Sequence, residues 1–279
     1  MAIYHCSAKI ISRSGGRSAT ASAAYRAAEK IKDERQNMTF NYRSREQSVD
    51  HAEIISPDGS PSFVKDRSNL WNAVESCEKR KDSQVAREVE IALPRELTLE
   101  QNIELAKEFV KGSFVDRGMV ADLCIHDANG ENPHAHIMLT TRHLTSEGFG
   151  KKNRDWNKDE LLQRWREEWE HVCNKHLELH NHQDRIDHRT LEDQGIDRAP
   201  QKHLGVTATS YERRTGFESD KRIKAQMRQL SSSILAEAQE KMRLKEMMRA
   251  EAEQKLQQQM ISEKKLAKEK ERPSRGFSR

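Results

Sequence analysis

The sequence has no apolar run near the roughly 20 residues that span a bilayer, and it lacks the basic-then-apolar opening of a secretory signal. A soluble, cytoplasmic protein with no membrane partner is expected. Cysteine is sparse. Cys6, Cys77, Cys124 and Cys173 lie far apart and form no C-x-x-C pair, which argues against a zinc ribbon or disulfide framework and fits a reducing compartment. Apolar residues are also scarce, at 34% of 279, and charged residues make up another 34%. Such a chain places part of its length outside any core. No large charge imbalance exists either: the formal net charge is +4, compatible with nucleic acid but no pointer to it.

Glycine and proline disappear between Glu218 and Glu271, where lysine, arginine, glutamate and glutamine dominate. Ile223, Met227, Leu230 and Ile234 keep a heptad-like spacing that later decays, so a long exposed helix or weak coiled coil is expected, frayed at Pro273 to Arg279. The chain accordingly divides into a main domain, 1–215, and a charged helical tail, 216–279.

Within the main domain, Tyr4, Cys6, Ala8 and Ile10 alternate as one side of a half-buried strand. The basic turn Ser12-Arg13-Ser14-Gly15-Gly16-Arg17 leads into an alanine-rich helix from Ser18 to about Ile31, with Tyr25 inside it. Short strands are expected at Met38 to Tyr42 and His51 to Ser56, then a helix from near Ser68. Val85 to Leu93 reads as a strand with Glu88 and Glu90 on one face and Val89 and Ile91 on the other. Thr98 and Gln101 form a capping box for a helix bearing Leu99, Ile103, Ala106 and Val110. Met119 to His126 and His134 to Arg142 read as a hairpin, Lys158 to His180 as a helix carrying Trp165 and Trp169, and the stretch to about Tyr211 as a polar loop.

The hairpin concentrates the chemistry. His134 and His136, two apart on a strand, point the same way, and the connection Asp127 to Pro133 brings His126 opposite His134. Three neutral imidazoles leave coordination positions open, as a catalytic metal site requires. Ligating imidazoles need an acceptor that fixes tautomer and orientation; Glu88 and Glu90 are the candidates, and the sequence does not choose between them. Lys9, Arg13, Arg17 and Arg26 surround Tyr25 in sequence and are candidate phosphate contacts; Lys151, Lys152 and Arg154 form a second basic loop. A tyrosine hydroxyl is a weak nucleophile without a base or metal, so the residues alone reach only a metal site on a sheet with a basic surface.

The sequence resembles the MobA/MobL family of plasmid mobilization relaxases, within the HUH endonucleases. The resemblance rests on Met1-Ala2-Ile3-Tyr4-His5, Ser12 to Gly16 with Ala23-Ala24-Tyr25, Glu88 to Pro94, and Glu131-Asn132-Pro133-His134-Ala135-His136. Further blocks are Ile186-Asp187-His188-Arg189-Thr190-Leu191, Gln194-Gly195-Ile196 and His203-Leu204-Gly205. It implies an α+β fold, an antiparallel sheet with packed helices. It also implies Tyr25 as nucleophile, His126, His134 and His136 as ligands of Mg²⁺ or Mn²⁺, and Glu88 and Glu90 as the acidic positions of the site. The implied activity is nicking of one strand at a plasmid origin of transfer through a 5′-phosphotyrosine, with rejoining after transfer. Single-stranded and hairpin DNA, accessory relaxosome proteins and a coupling protein are the implied partners. His5, His188 and His203 fall in matching blocks with their roles left open, buried hydrogen-bonding being the default expectation for each. A rolling-circle replication initiator, a non-catalytic DNA-binding protein and a metallohydrolase stay open as alternatives.

Overall fold

The structure, a computed structural model, describes residues 3–196 and 204–270. The chain divides into two compact units, Met1–His188 and Arg189–Arg279.

The first unit is built on a five-stranded, wholly antiparallel sheet. Its strands are β1 (Cys6–Ser12), β4 (His51–Ile55), β5 (Gln84–Ala92), β6 (Ala121–His126) and β7 (His134–Leu139), in the order β1-β5-β7-β6-β4. Two small hairpins accompany it: β2 (Lys30–Asp33) with β3 (Met38–Asn41), and β8 (Arg142–Thr145) with β9 (Gly148–Lys152). The helices are α1 (Ala19–Arg26), α2 (Arg67–Cys77), α3 (Leu99–Ser113) and α4 (Asp159–Leu179).

Period two along the strands separates two cores. Val89, Ile91, Leu123, Ile125, Ala135 and Ile137 face one way and pack with Phe109 of α3 and Trp165 and Trp169 of α4. Phe109 meets Trp169 edge-on at 5.1 Å and Phe114 meets Trp165 at 5.0 Å. Each such buried side chain stabilises the fold by about 1.5–3 kcal/mol before the entropy of ordering is subtracted. Ile11, Ala86 and Met138 face the other way, under Ala23 and Ala24 of α1 and Leu70 and Trp71 of α2. The alanines let α1 lie close on the sheet. Buried Asp122 accepts hydrogen bonds from Arg67 at 2.9 Å and from the Trp71 indole at 2.8 Å, pinning α2 over the centre of the sheet.

The capping box at Thr98 and Gln101 is present, as are the five expected strands of the sheet. Four differences have local causes. Helix α1 stops at Arg26 because Ala28 turns left-handed, at φ 52°, and the chain re-enters as β2, whose Ile31 and Asp33 are buried in alternation. In β1, Cys6 is buried but Ile10 is 38% exposed, since a sheet edge leaves that end of the strand uncovered. Strand β7 ends at Leu139 and Arg142 opens β8, its guanidinium held by Glu78 at 2.9 Å and the Gly150 carbonyl at 2.9 Å. The stretch expected to be a loop up to Tyr211 contains α5 (Val206–Thr215), closed by left-handed Gly216 at φ 72°. Its β-branched and hydroxyl residues give no apolar stripe to read.

In the second unit, Glu212 of α5 accepts from the Ser219 hydroxyl at 2.7 Å and pairs with Arg222 at 2.7 Å, at the start of α6 (Asp220–Lys270). Ile223, Met227, Leu230 and Ile234 are all exposed along this 51-residue helix. Among the described residues, no helix is long and apolar enough to cross a membrane.

Candidate active site

Register sets the site. Lys9 pairs with Glu88, Glu90 with His136, and His134 with His126, and cross-strand partners share a face. One end of the face that carries α1 and α2 therefore holds two carboxylates and three imidazoles, while its other end is filled by Met138 and the apolar core.

The three rings converge, with centroids 5.5 Å apart for His126 and His134, 5.3 Å for His126 and His136, and 5.1 Å for His134 and His136. Two of them are oriented through Nδ1: His134 donates to the Asn132 carbonyl at 2.7 Å and His136 to Glu88 Oε1 at 2.7 Å. Acceptors that cannot donate demand the Nδ1–H tautomer, which leaves each Nε2 with a free lone pair. His126 is 8% exposed, and its Nε2 is buried without a hydrogen-bond partner. Burial, followed by the neighbouring His136 and His134, pushes His126 down to about 4, against a hydrogen bond to the Ser48 backbone. The orphaned buried nitrogen of His126 and the Nε2 atoms of His134 and His136 are donors of the type a divalent ion takes, although the ligand atoms that lie within 4.8 Å of one another here belong to Glu88, Glu90 and His136 and not to the three imidazoles.

The two glutamates do different work. Glu88 is 2% exposed and takes the Arg26 guanidinium at 2.6 and 2.5 Å as well as His136. Burial acts to raise its carboxyl, but the bonds from His136 and Arg26 win and hold it down at about 2. Glu90 makes no such bond to an imidazole; Lys9 pairs with it at 2.7 Å and His5 stands at 3.9 Å. Its carboxyl is lowered as well, since Lys9 outweighs burial. One Glu88 oxygen, one Glu90 oxygen and one His136 nitrogen lie within 4.8 Å of one another.

Tyr25 projects from α1 and is 46% exposed. Its ring meets the edge of Tyr42 at 5.3 Å, and the Arg45 guanidinium lies over its face at 3.9 Å from the centroid. Both ends of α1 are fixed. Ser18 caps it by accepting from Ala21 N–H at 3.0 Å, Ala19 N–H donates to buried Glu75 at 2.7 Å, and Arg26 ties the last turn to Glu88. Tyr4, by contrast, is partly buried, and burial raises its hydroxyl well above the usual phenol range.

Of the four basic residues expected to meet phosphates, the structure engages three internally. Arg13 is 7% exposed, and its guanidinium is consumed by the Glu75 carboxylate and the carbonyls of Glu75, Glu78 and Arg80. It is a structural cation, because a carboxylate 62 residues away in sequence folds against the glycine turn. Arg26 is taken by Glu88 and Lys9 by Glu90; Arg17 is exposed. The expected second basic loop begins in strand β9, where Lys152 donates to the Gln84 carbonyl at 2.6 Å and pairs with Glu78 at 3.0 Å. The expectation of buried histidines fails for His5, which is exposed; His188 is bonded through its ring and its backbone N–H to Glu170, and His203 lies outside the described residues. Arg45 and Glu75 had no signal in the sequence: Arg45 falls in a short turn, and Glu75 is one polar position of an expected helix, with nothing local to mark its partners.

Fold and site together describe an α+β protein in which an antiparallel hairpin gathers three imidazoles beside a helix bearing an exposed tyrosine. The chain belongs to the MobA/MobL family, which it matches over residues 17–214, as its sequence resemblance implied. It is 38% identical to the mobilization protein MobL of Acidithiobacillus ferridurans over 86% of this chain and 71% of that protein. It is 41% identical to the conjugal transfer protein TraA of Agrobacterium fabrum over 77% of this chain, yet spans only 22% of TraA. A solved structure described as the molecular basis of vancomycin resistance transfer in Staphylococcus aureus superposes with a TM-score of 0.65 at 42% identity, covering 68% of this chain and all of that one, 100%.

Proposed function

We propose that this protein is a DNA relaxase that nicks one strand at a plasmid origin of transfer and later rejoins it. Tyr25 Oη attacks the scissile phosphorus and gives up its proton to solvent; the P–O3′ bond breaks, the 3′-oxygen takes up a proton, and a 5′-phosphotyrosine remains. Attack by a 3′-hydroxyl reverses the step without ATP, since the phosphodiester is conserved. His126, His134 and His136 would hold a divalent ion, which when bound draws charge from a non-bridging phosphate oxygen. Nitrogen donors favour a transition ion such as Mn²⁺ over Mg²⁺. Glu88 orients His136, and Glu90 keeps Lys9 at the rim.

The observation that carries this reading is the chain of contacts from Arg26, next to Tyr25, through Glu88 to His136. It joins the nucleophile's helix to the imidazole cluster. The names of the mobilization and conjugal transfer relatives support the same direction. We assign nicking to residues 1–215 and a docking role, toward accessory proteins or a coupling protein, to the charged tail 216–279. The substrate is single-stranded DNA beside a hairpin. The test is incubation with Mn²⁺ and a labelled single-stranded oligonucleotide spanning the encoding plasmid's nick site. A denaturation-resistant adduct supports the reading, and clean release of both products defeats it.

A further inference from the structure

The segment between β3 and β4 touches both halves of the site. Residues Arg43–Ser48 form a short 3-10 turn, closed by Arg45 N–H donating to the Tyr42 carbonyl at 2.9 Å and by the Ser48 hydroxyl donating to the Arg45 carbonyl at 2.7 Å. At one end, the Arg45 guanidinium covers the Tyr25 ring at 3.9 Å. At the other, the Ser48 backbone hydrogen-bonds His126, and the charge of Arg45 itself is felt there.

The guanidiniums of Arg13, Arg26 and Arg67 are each matched by a carboxylate. Among the described residues, that of Arg45 has neither a carboxylate partner nor a hydrogen-bond acceptor, and its Nη1 is buried against the protein. A guanidinium charge that no carboxylate neutralises suits an anionic ligand, and one whose face lies on the Tyr25 ring presents its open edge within reach of that ring.

From this geometry we infer that Arg45 is a phosphate ligand of the nicking site: it clamps the Tyr25 ring by its face and donates through Nε or Nη2, the N–H groups left open to solvent, to a non-bridging oxygen of the scissile phosphate. The inference rests on the assignment of Tyr25 as nucleophile. A planar guanidinium suits both tasks, because one face stacks on an aromatic ring while its edge presents fixed donors.

The experiment uses the full chain with Mn²⁺ and two oligonucleotides, one with the native scissile phosphodiester and one with a methylphosphonate there, which lacks an anionic oxygen. Loss of one preorganised donor to a developing charge slows the step by about 10²–10³-fold. R45A is expected to slow adduct formation on the native strand by that factor, with Mn²⁺ affinity and melting temperature unchanged. R45K should recover part of the rate through charge alone. On the methylphosphonate, wild type and R45A should react at similar rates. Two results overturn the inference: wild-type rates for R45A on the native strand, or a deficit just as large on the methylphosphonate, which would make Arg45 a clamp for the ring only. Failure of the underlying reading looks different. There the wild-type protein itself forms no adduct, or forms it on another tyrosine.

Discussion

Replacing Glu88 by glutamine tests the join between helix α1 and the imidazole cluster while leaving side-chain volume almost unchanged. The carboxylate is 2% exposed and holds the Arg26 guanidinium at 2.6 and 2.5 Å and His136 Nδ1 at 2.7 Å. A glutamine offers one carbonyl oxygen to both donors and turns an NH₂ toward one of them. Removing one member of a buried ion pair costs about 3–5 kcal/mol, and Arg26 is 14% exposed, so the lower end applies: about 3 kcal/mol of folding stability. Losing the carboxylate behind a ligating imidazole weakens metal binding by about 10–100-fold, equivalent to about 1.4–2.8 kcal/mol. Urea unfolding without metal reads the first effect, and calorimetric titration with Mn²⁺ reads the second. Glu90→Gln, whose carboxylate faces Lys9 at the rim, should change either quantity far less. If Glu88→Gln unfolds like wild type and binds Mn²⁺ equally well, Glu88 does not organise the site.

Arg13→Ala should lower stability by up to about 3 kcal/mol, since buried Glu75 is left with only the more exposed Arg35 at 3.2 Å as its cation, yet leave the salt dependence of oligonucleotide binding unchanged, because the Arg13 guanidinium is buried. A reduced salt slope with intact stability would restore Arg13 as a phosphate contact. His136→Ala or His134→Ala should lower Mn²⁺ affinity and nicking together, and titration showing undiminished binding in the double variant removes the cluster from the mechanism. Deleting residues from Glu218 onward should spare nicking of a short oligonucleotide, since both cores and every proposed site residue lie before His188. A truncated chain that melts like the whole and fails to nick contradicts the assignment of chemistry to residues 1–215.

Local regularities made the hairpin legible. Period-two alternation put His134 and His136 on one face, and the turn-rich Asp127 to Pro133 set His126 against His134, the register found. The same alternation put Glu88 and Glu90 side by side and so could not separate them. What separates them is the reach of Arg26 from another element and the pairing of Lys9 with Glu90, both long-range events. Arg13 misled for a related reason. Its nearness to Tyr25 in sequence suggested a phosphate contact, but Glu75 of α2, far away in sequence, takes its guanidinium. Short β2, β8 and β9 carry too few residues for alternation to register, and the end of α1 depends on one left-handed alanine that helix propensity runs straight through.

Peptide mapping of the adduct decides whether Tyr25 becomes covalently joined to DNA. Wild-type protein treated with Mn²⁺ and the nick-site oligonucleotide is denatured and digested, and the peptide carrying the nucleotide mass is sequenced. The modification is expected on Tyr25, with Tyr25→Phe forming no adduct while binding the oligonucleotide nearly as well. Attachment at Tyr42, whose ring lies 5.3 Å from that of Tyr25, or at Tyr4 or Tyr211, would contradict it.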